Sequence, residues 1–173
     1  MNFEILSGQV DPIWDMEEVK NLQYFYEPFN DPETTQRWKD IYSSEFRTGW
    51  QADFRSPQPA CQEQVFANIA TQIPNISNQG FSWYRMLPGE MIPEHSDTYI
   101  NYCRYHNVPK EQAVRILVLL EDWHPGYLLE VAGKSYSHYP AGTWILWHAD
   151  TPHMAGNLST VPRYTLQITA TKK

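Results

Sequence analysis

The chain has 173 residues, of which 42% are hydrophobic and 19% are charged, so a disordered chain is excluded and a sizeable core is expected. Its formal net charge is −7 and no run of Lys or Arg occurs, which argues against nucleic acid as a partner. The length predicts one domain over 1–173, with a helical N-terminal region at 1–79 and a β core at 80–171.

The cysteines and the N-terminal residues bear on the cellular compartment. Cys61 and Cys103 form neither a CxxC pair nor a dense framework, so free thiols in a reducing environment are expected. The stretch MNFEILSGQVDPIWD has no basic n-region and carries Glu4 where a signal peptide would be apolar. The longest apolar run, ILVLL, has the length of a strand. We therefore predict a cytoplasmic protein with no membrane partner.

Two helices are predicted before Gly80. Asp31 is the expected N-cap and Pro32 the first helical residue of DPETTQRWKDIYSS. The second helix is predicted within PACQEQVFANIATQI, because its apolar residues recur with helical spacing. This apolar stripe consists of Cys61, Val65, Phe66, Ile69 and Ile73. The segment PNISNQG then interrupts the helical pattern.

From Gly80 onward the sequence predicts strands almost throughout. The candidates are FSWYRML, MIPEHSDTY, AVRILVLL, GYLLEV, KSYSHY, GTWILW, HMAGN and RYTLQITA. They are short, rich in β-branched and aromatic residues, and separated by turn residues. About eight such strands without a long helix between them indicate a mainly β protein, an antiparallel sandwich or jelly roll. The two helices are expected to cover the outer face of one sheet.

One of these candidate strands, MIPEHSDTY, places His95 and Asp97 two residues apart. On a strand, residues i and i+2 project from the same face, so both side chains would enter the same space. Such a pair is suited to metal binding, although the same spacing also arises by coincidence. The segment WILWHADTPHMAGN adds a second imidazole, His153, and Arg163 opens the last strand.

Two His and one carboxylate on one side of a metal, with the other positions open, form the facial triad of non-haem Fe(II) oxygenases. The chain order His-x-Asp, His, Arg on an all-β background resembles the Fe(II)/2-oxoglutarate-dependent oxygenase superfamily, over roughly residues 80–171. The resemblance implies that His95, Asp97 and His153 bind Fe(II). It also implies that Arg163 pairs with the distal carboxylate of 2-oxoglutarate. Thr165 completes an Arg-x-Thr similar to the Arg-x-Ser of many members.

The resemblance further implies a fold and an activity. The fold would be a double-stranded β-helix, a form of jelly roll, from about Phe81 to Ala170, with the N-terminal helices packed on one sheet. The activity would be that of a dioxygenase using Fe(II), 2-oxoglutarate and O₂. The substrate would be a small molecule, an amino acid or a peptide or protein side chain, in which a C–H bond is hydroxylated or otherwise oxidised.

Within the superfamily, LPGEMIPEH resembles the approach to the first His in the aspartyl/asparaginyl β-hydroxylase-like branch, with the prolyl-hydroxylase-like branch as the alternative. The stretch RILVLL resembles the Arg-x-x-Leu-x-Leu strand of the first branch. This similarity implies that Tyr84 helps to hold the co-substrate and that Arg115 meets a substrate carboxylate. Some members of that branch lack the metal-binding acid, whereas Asp97 is present here, so their substrate is not carried over.

His148 is the alternative to His153, because both lie in the same segment. We prefer His153, since its spacing from Gly142 and Arg163 fits the family and HMAGN resembles the strand after the distal ligand.

Two other function classes stay open. One is a metal-dependent, cupin-like isomerase or hydrolase with Zn or another divalent ion at the same three residues. The other is a jelly-roll binding module without catalysis. Arg163 and Thr165 separate these classes, because only the 2-oxoglutarate hypothesis needs them. A buried Arg with a purely structural role would be expected to pair with an acid.

The two-residue period of strands predicts where side chains point. Arg163 and Thr165 are expected to point into the barrel with His95 and Asp97. The alternating residues Tyr164, Leu166 and Ile168 are expected to point outward, toward the helices.

Overall fold

The structure is a computed structural model that describes residues 4–29, 31–42 and 46–173. Its helices are α1 (Met16–Lys20), α2 (Pro32–Tyr42), α3 (Cys61–Ala70) and α4 (Ile100–His106). Its strands, in chain order, are β1 (Ile5–Gln9), β2 (Tyr24–Tyr26), β3 (Trp50–Ala52), β4 (Ile76–Met86), β5 (Met91–His95), β6 (Ala113–Leu119), β7 (Tyr127–Val131), β8 (Lys134–Ser135), β9 (Thr143–His148), β10 (His153–Asn157) and β11 (Arg163–Lys172).

The strands form two antiparallel sheets. The seven-stranded sheet has the order β1-β9-β6-β11-β4-β3-β2, and the four-stranded sheet has the order β5-β10-β7-β8. From β4 onward the chain passes back and forth between the sheets, so that β4, β6, β9 and β11 face β5, β7, β8 and β10. This order is that of a double-stranded β-helix, and the predicted mainly β fold is confirmed.

The alternation along β11 separates a helix-facing side from a barrel-facing side. Leu166 and Ile168 are fully buried in one cluster with Val65 and Ile69 of α3, and Tyr164 joins them. Arg163 and Thr165 instead line the cavity between the sheets. The predicted orientation of β11 is therefore confirmed.

The helices occupy two different places. Val19 of α1 belongs to the same buried cluster as α3, so both helices lie on the larger sheet. Asp31 caps α2 as predicted, because its carboxylate accepts hydrogen bonds from the Glu33 and Thr34 N–H groups at 3.1 and 3.4 Å. Beyond its first turn, α2 lies near β5, where Trp38 Nε1 donates to the Glu94 carbonyl at 3.1 Å.

The N-terminal region is not only helical, and this part of the prediction was incomplete. The strands β1, β2 and β3 extend the larger sheet at both edges, where β1 pairs with β9 and β3 pairs with β4. β2 and β3 have three residues each, too few to show an alternating pattern in the sequence. β4 begins at Ile76, because residues from the predicted PNISNQG break pair with the end of β11.

The predicted strand MIPEHSDTY is wrong in its second half. β5 ends at His95, and Asp97 lies in the loop that follows. Tyr99 has a left-handed backbone with φ of 53°, and α4 begins directly after it. None of the helices in the described ranges is long and apolar enough to cross a membrane.

We expect Ile69→Ala to lower the free energy of unfolding by about 2–5 kcal/mol, because Ile69 is fully buried between α3 and the larger sheet and its loss leaves a cavity. Urea denaturation checks this. Ile41→Ala is the matched control, since Ile41 is 63% exposed on α2 and its truncation leaves no cavity. An unchanged unfolding midpoint for Ile69→Ala would contradict the packing of α3 described above.

Candidate functional site

His95, Asp97 and His153 come together inside the barrel. One potential ligand atom of each lies within 4.8 Å of the others. The Nε2 atoms of His95 and His153 are both 3.9 Å from the Asp97 carboxylate, the first from Oδ1 and the second from Oδ2. The two imidazoles meet because β5 and β10 are paired with His95 directly opposite His153. The structure thus brings together the three predicted ligands, while their binding of a metal stays a prediction.

The hydrogen bonds of both imidazoles leave Nε2 available to a metal. His95 Nδ1 lies 2.8 Å from the Pro93 carbonyl, and His153 Nδ1 lies 2.9 Å from the Thr151 carbonyl. A carbonyl only accepts, so Nδ1 carries the proton and donates while Nε2 keeps its lone pair. Fixing the tautomer through the second nitrogen is how metal-binding His residues are usually held.

Burial keeps these imidazoles neutral. It lowers the pKa of His95, and for His153 burial together with the neighbouring His95 lowers the pKa to about 4. Neutral imidazole is the form that binds metals, so at neutral pH both side chains are ready as ligands.

Asp97 is held as a carboxylate by its neighbours. Burial by itself would raise the pKa of Asp97, but the Arg115 guanidinium, helped by the hydrogen bond from Tyr99, holds it well below its usual range. Arg115 Nη2 lies 3.0 Å from Asp97 Oδ2. Arg115 donates through each of its three nitrogens, since Nε also contacts Asp97 and Nη1 contacts Thr169 Oγ1. The structure therefore gives Arg115 an acid partner in the protein itself, in contrast to its predicted contact with a substrate carboxylate.

Arg163 is also buried, but unlike Arg115 it contacts backbone carbonyls and not a carboxylate. Its Nη1 donates to the carbonyls of Leu128 and Gly156, at 2.6 and 3.4 Å. Its Nε and Nη2 are buried and make no well-formed hydrogen bond with the residues that the structure describes. The Tyr139 hydroxyl is a further polar neighbour of the guanidinium, and no described acid forms an ion pair with it. Burial lowers the pKa of Arg163, an effect that the phenols of Tyr139 and Tyr127 oppose. Buried donors without partners are costly, so this guanidinium calls for an acceptor from outside the chain.

A single cavity of about 380 Å³ contains all the predicted site residues. Such a volume suits a small molecule, since ligand cavities run from roughly 300 to 1,000 Å³. The side chains that line it are Glu27, Pro28, Phe29, Thr48, Gln51, Ser82, Tyr84, Met86, Ile92, His95, Asp97, Arg115, Leu117, Leu129, Trp147, His153, Ala155, Arg163, Thr165, Gln167 and Thr169. The part of the wall formed by Glu27, Pro28, Phe29, Thr48 and Gln51 was not predicted, because short strands and loops supply it and no sequence pattern marks them.

His148, the alternative ligand, points away from this cavity. Its Nε2 lies 3.2 Å from Glu4 Oε2, and its Nδ1 lies 3.3 Å from the Glu111 carbonyl. The preceding residue of β9, Trp147, lines the cavity, so strand alternation turns His148 outward.

Comparisons with known proteins give remote structural similarity only. No protein-family model matches the chain, and no curated protein matches it. A Pseudomonas putida prolyl-4-hydroxylase is 13% identical with a TM-score of 0.49, over 91% of this chain and 96% of that one. A non-heme monooxygenase, ThoJ, in a nickel complex is 17% identical with a TM-score of 0.47, over 62% of this chain and 49% of that one. A cupin protein from Bacteroides fragilis is 18% identical with a TM-score of 0.39, over 55% of this chain and 67% of that one. These values carry no argument about function, and the fold assignment rests on the strand order.

We expect His153→Ala to abolish binding of a divalent metal, because the remaining His95 and Asp97 cannot hold a labile ion against water. His148→Ala should leave the metal affinity nearly unchanged, since His148 lies outside the cavity. Isothermal titration with Co(II) measures both affinities. The reverse behaviour of the two variants would show that the ligand assignment is wrong.

Proposed function

We propose that the protein is an Fe(II)- and 2-oxoglutarate-dependent dioxygenase that oxidises a C–H bond of a small molecule, an amino acid or a peptide side chain. One observation carries the proposal. A buried guanidinium with two unpaired nitrogens shares a cavity with a His, Asp, His cluster. We also propose a cytoplasmic location, which the free thiols Cys61 and Cys103 support.

The donor set fits ferrous iron. Two neutral imidazoles and one carboxylate approach from one side, which is the facial triad associated with non-haem Fe(II) oxygenases. Bound Fe(II) and 2-oxoglutarate would together supply the activation of O₂ that C–H oxidation needs. The chain itself would contribute the ligands His95, Asp97 and His153 and the cavity beside them.

The part of the cavity lined by Arg163, Thr165 and Tyr84 suits the distal carboxylate of 2-oxoglutarate. Thr165 on β11 is paired directly with Tyr84 on β4. Arg163 lies two residues before Thr165 on the same face of β11 and lines the same cavity. Burial raises the pKa of Tyr84, so its hydroxyl stays protonated and can donate. A guanidinium fork that shares a cavity with two hydroxyl donors suits a carboxylate in charge and in hydrogen bonding.

The electrostatics of the cavity favour this assignment over a metal-dependent isomerase or hydrolase. Arg115 is neutralised by Asp97, whereas Arg163 has no acid partner among the described residues. A buried charge is costly unless an opposite charge pairs with it, and the carbonyls and the Tyr127 ring beside Arg163 are neutral, which favours an anionic ligand. An isomerase or hydrolase using the three metal ligands alone gives Arg163 no such partner.

We expect Arg163→Ala to raise the dissociation constant for 2-oxoglutarate by tens- to thousands-fold. Removal of one partner of a buried, charge-assisted contact costs about 2–5 kcal/mol, and each 1.4 kcal/mol or so is tenfold. Affinity for Fe(II) should survive, because Arg163 is not among the clustered ligands. Thr165→Val should show a milder loss. Anaerobic titration with Fe(II) and then 2-oxoglutarate, followed by visible absorption, measures both constants.

Arg85→Ala is the matched control for this experiment. Arg85 lies on the opposite face of β4 from Tyr84, and its guanidinium stacks 4.5 Å from the ring centroid of Tyr24, outside the cavity. Its removal should leave both constants unchanged. If Arg163→Ala binds 2-oxoglutarate as well as the parent, or if the parent does not bind it, the metal site serves another chemistry.

A further inference from the structure

The position of Asp97 is not fixed by strand geometry. The pairing of β5 with β10 ends at His95, and Asp97 lies in the loop between β5 and α4. A carboxylate on a loop has more freedom than one on a strand, yet a metal site requires its ligand atoms to be held closely. The groups that contact the Asp97 side chain must therefore set its orientation.

Three donors converge on one of the two carboxylate oxygens. Tyr99 donates its hydroxyl to Asp97 Oδ2 at 2.8 Å, and Arg115 donates to the same atom from Nη2 at 3.0 Å and from Nε at 3.3 Å. Each oxygen lies 3.9 Å from one imidazole, Oδ1 from His95 Nε2 and Oδ2 from His153 Nε2, but no described donor forms a hydrogen bond with Oδ1. The two oxygens of Asp97 are thus in different environments.

We infer that Arg115 and Tyr99 are positioning residues that hold Asp97 so that it binds the metal through Oδ1 alone. Oδ2 is occupied by its three donors, which leaves Oδ1 as the oxygen with free lone pairs. A carboxylate that uses one oxygen fills one coordination position and keeps the others open. The inference rests on the proposed function only for the metal at His95, Asp97 and His153.

The contacts of Arg115 and the backbone conformation of Tyr99 are consistent with this role. Arg115 projects from β6, where Thr169 of the neighbouring β11 accepts from its Nη1 at 2.9 Å. The guanidinium also lies 5.4 Å from the ring centroid of Tyr99. Tyr99 adopts a left-handed backbone with φ of 53°, which is uncommon for a bulky residue and strained. This conformation turns a buried phenol back toward the carboxylate two residues before it.

Two variants that preserve the charge of the site test the inference. Arg115→Lys keeps the cation but loses the planar fork, and Tyr99→Phe removes only the hydroxyl. Each should weaken Co(II) binding roughly 10- to 100-fold, the usual effect of losing an outer partner of a metal ligand. The visible spectrum of bound Co(II) should also change, because the released carboxylate can then use either oxygen.

The controls are Tyr102→Phe and Arg85→Lys, which remove the same groups elsewhere. The Tyr102 hydroxyl contacts Asn78 and Thr171, and Arg85 stacks on Tyr24, so neither touches Asp97. Circular dichroism confirms the folding of each variant, and Tyr99→Phe decides the question if Arg115→Lys does not fold.

The results separate this inference from the proposed function. Parental Co(II) affinity and spectrum in both test variants would overturn the positioning role. A parent that binds Co(II) but not 2-oxoglutarate would contradict the proposed function, while a loss of Co(II) affinity in Tyr99→Phe would still support the positioning of Asp97. A parent that binds no divalent metal would overturn both.

Discussion

The pairing of β11 between β4 and β6 is the constraint on which the site depends. A shift of one residue in this register would exchange the helix-facing and cavity-facing sides of the strand. The buried side, with Leu166 and Ile168 against α3, makes such a shift costly. The same register places Arg163 at one end of the cavity and Thr169, which supports Arg115, at the other. The hydrophobic core thereby fixes the spacing between the proposed anion site and the metal-binding acid.

The two cavity arginines show how the surroundings of a side chain decide its task. Both are withdrawn from water, which is unfavourable for a cation without compensation. Arg115 meets a carboxylate and a hydroxyl, so its charge is used within the protein. Arg163 donates to two carbonyl oxygens through one nitrogen and lies 5.5 Å from the ring centroid of Tyr127, and these partners are all neutral, so its charge is left for a ligand. The sequence alone gives no means of telling these two arginines apart, since both stand on strands at cavity-facing positions.

The features that the sequence predicted correctly are those that follow from the two-residue alternation of side chains along a strand. The alternation in RYTLQITA assigned Arg163 to the cavity and Leu166 to the core, because burial on one face enforces a period of two. The preference for His153 over His148 also agrees with the structure, where alternation along β9 turns His148 outward. Most candidate strands after Gly80 appear in the structure for the same reason. Two were predicted too long, since KSYSHY forms a strand only at Lys134–Ser135 and MIPEHSDTY only as far as His95.

What the sequence did not predict depends on contacts between distant segments. The strands β2 and β3 have three residues each and exist because β3 pairs with the edge of β4 and β2 then pairs with β3. α4 is short and has no side-chain N-cap, so nothing in the sequence marks its start. Asp97 was assigned to a strand on the strength of its spacing from His95, whereas the chain leaves β5 there and Arg115, distant in sequence, holds the carboxylate.

The N-terminal region has a chemical consequence beyond covering the barrel. The β-helix from β4 to β11 supplies both imidazoles, but the rings of Phe29 and Trp38 pack against His95 with centroids at 4.9 and 6.1 Å. Burial is the main cause that lowers the pKa of His95, and these rings contribute to that burial. A β-helix without this segment would leave His95 more hydrated, with a pKa closer to its ordinary value, so protons would compete with a metal for Nε2 at a higher pH. The segment before β4 therefore belongs to the candidate metal site as much as the strands that carry His95 and His153.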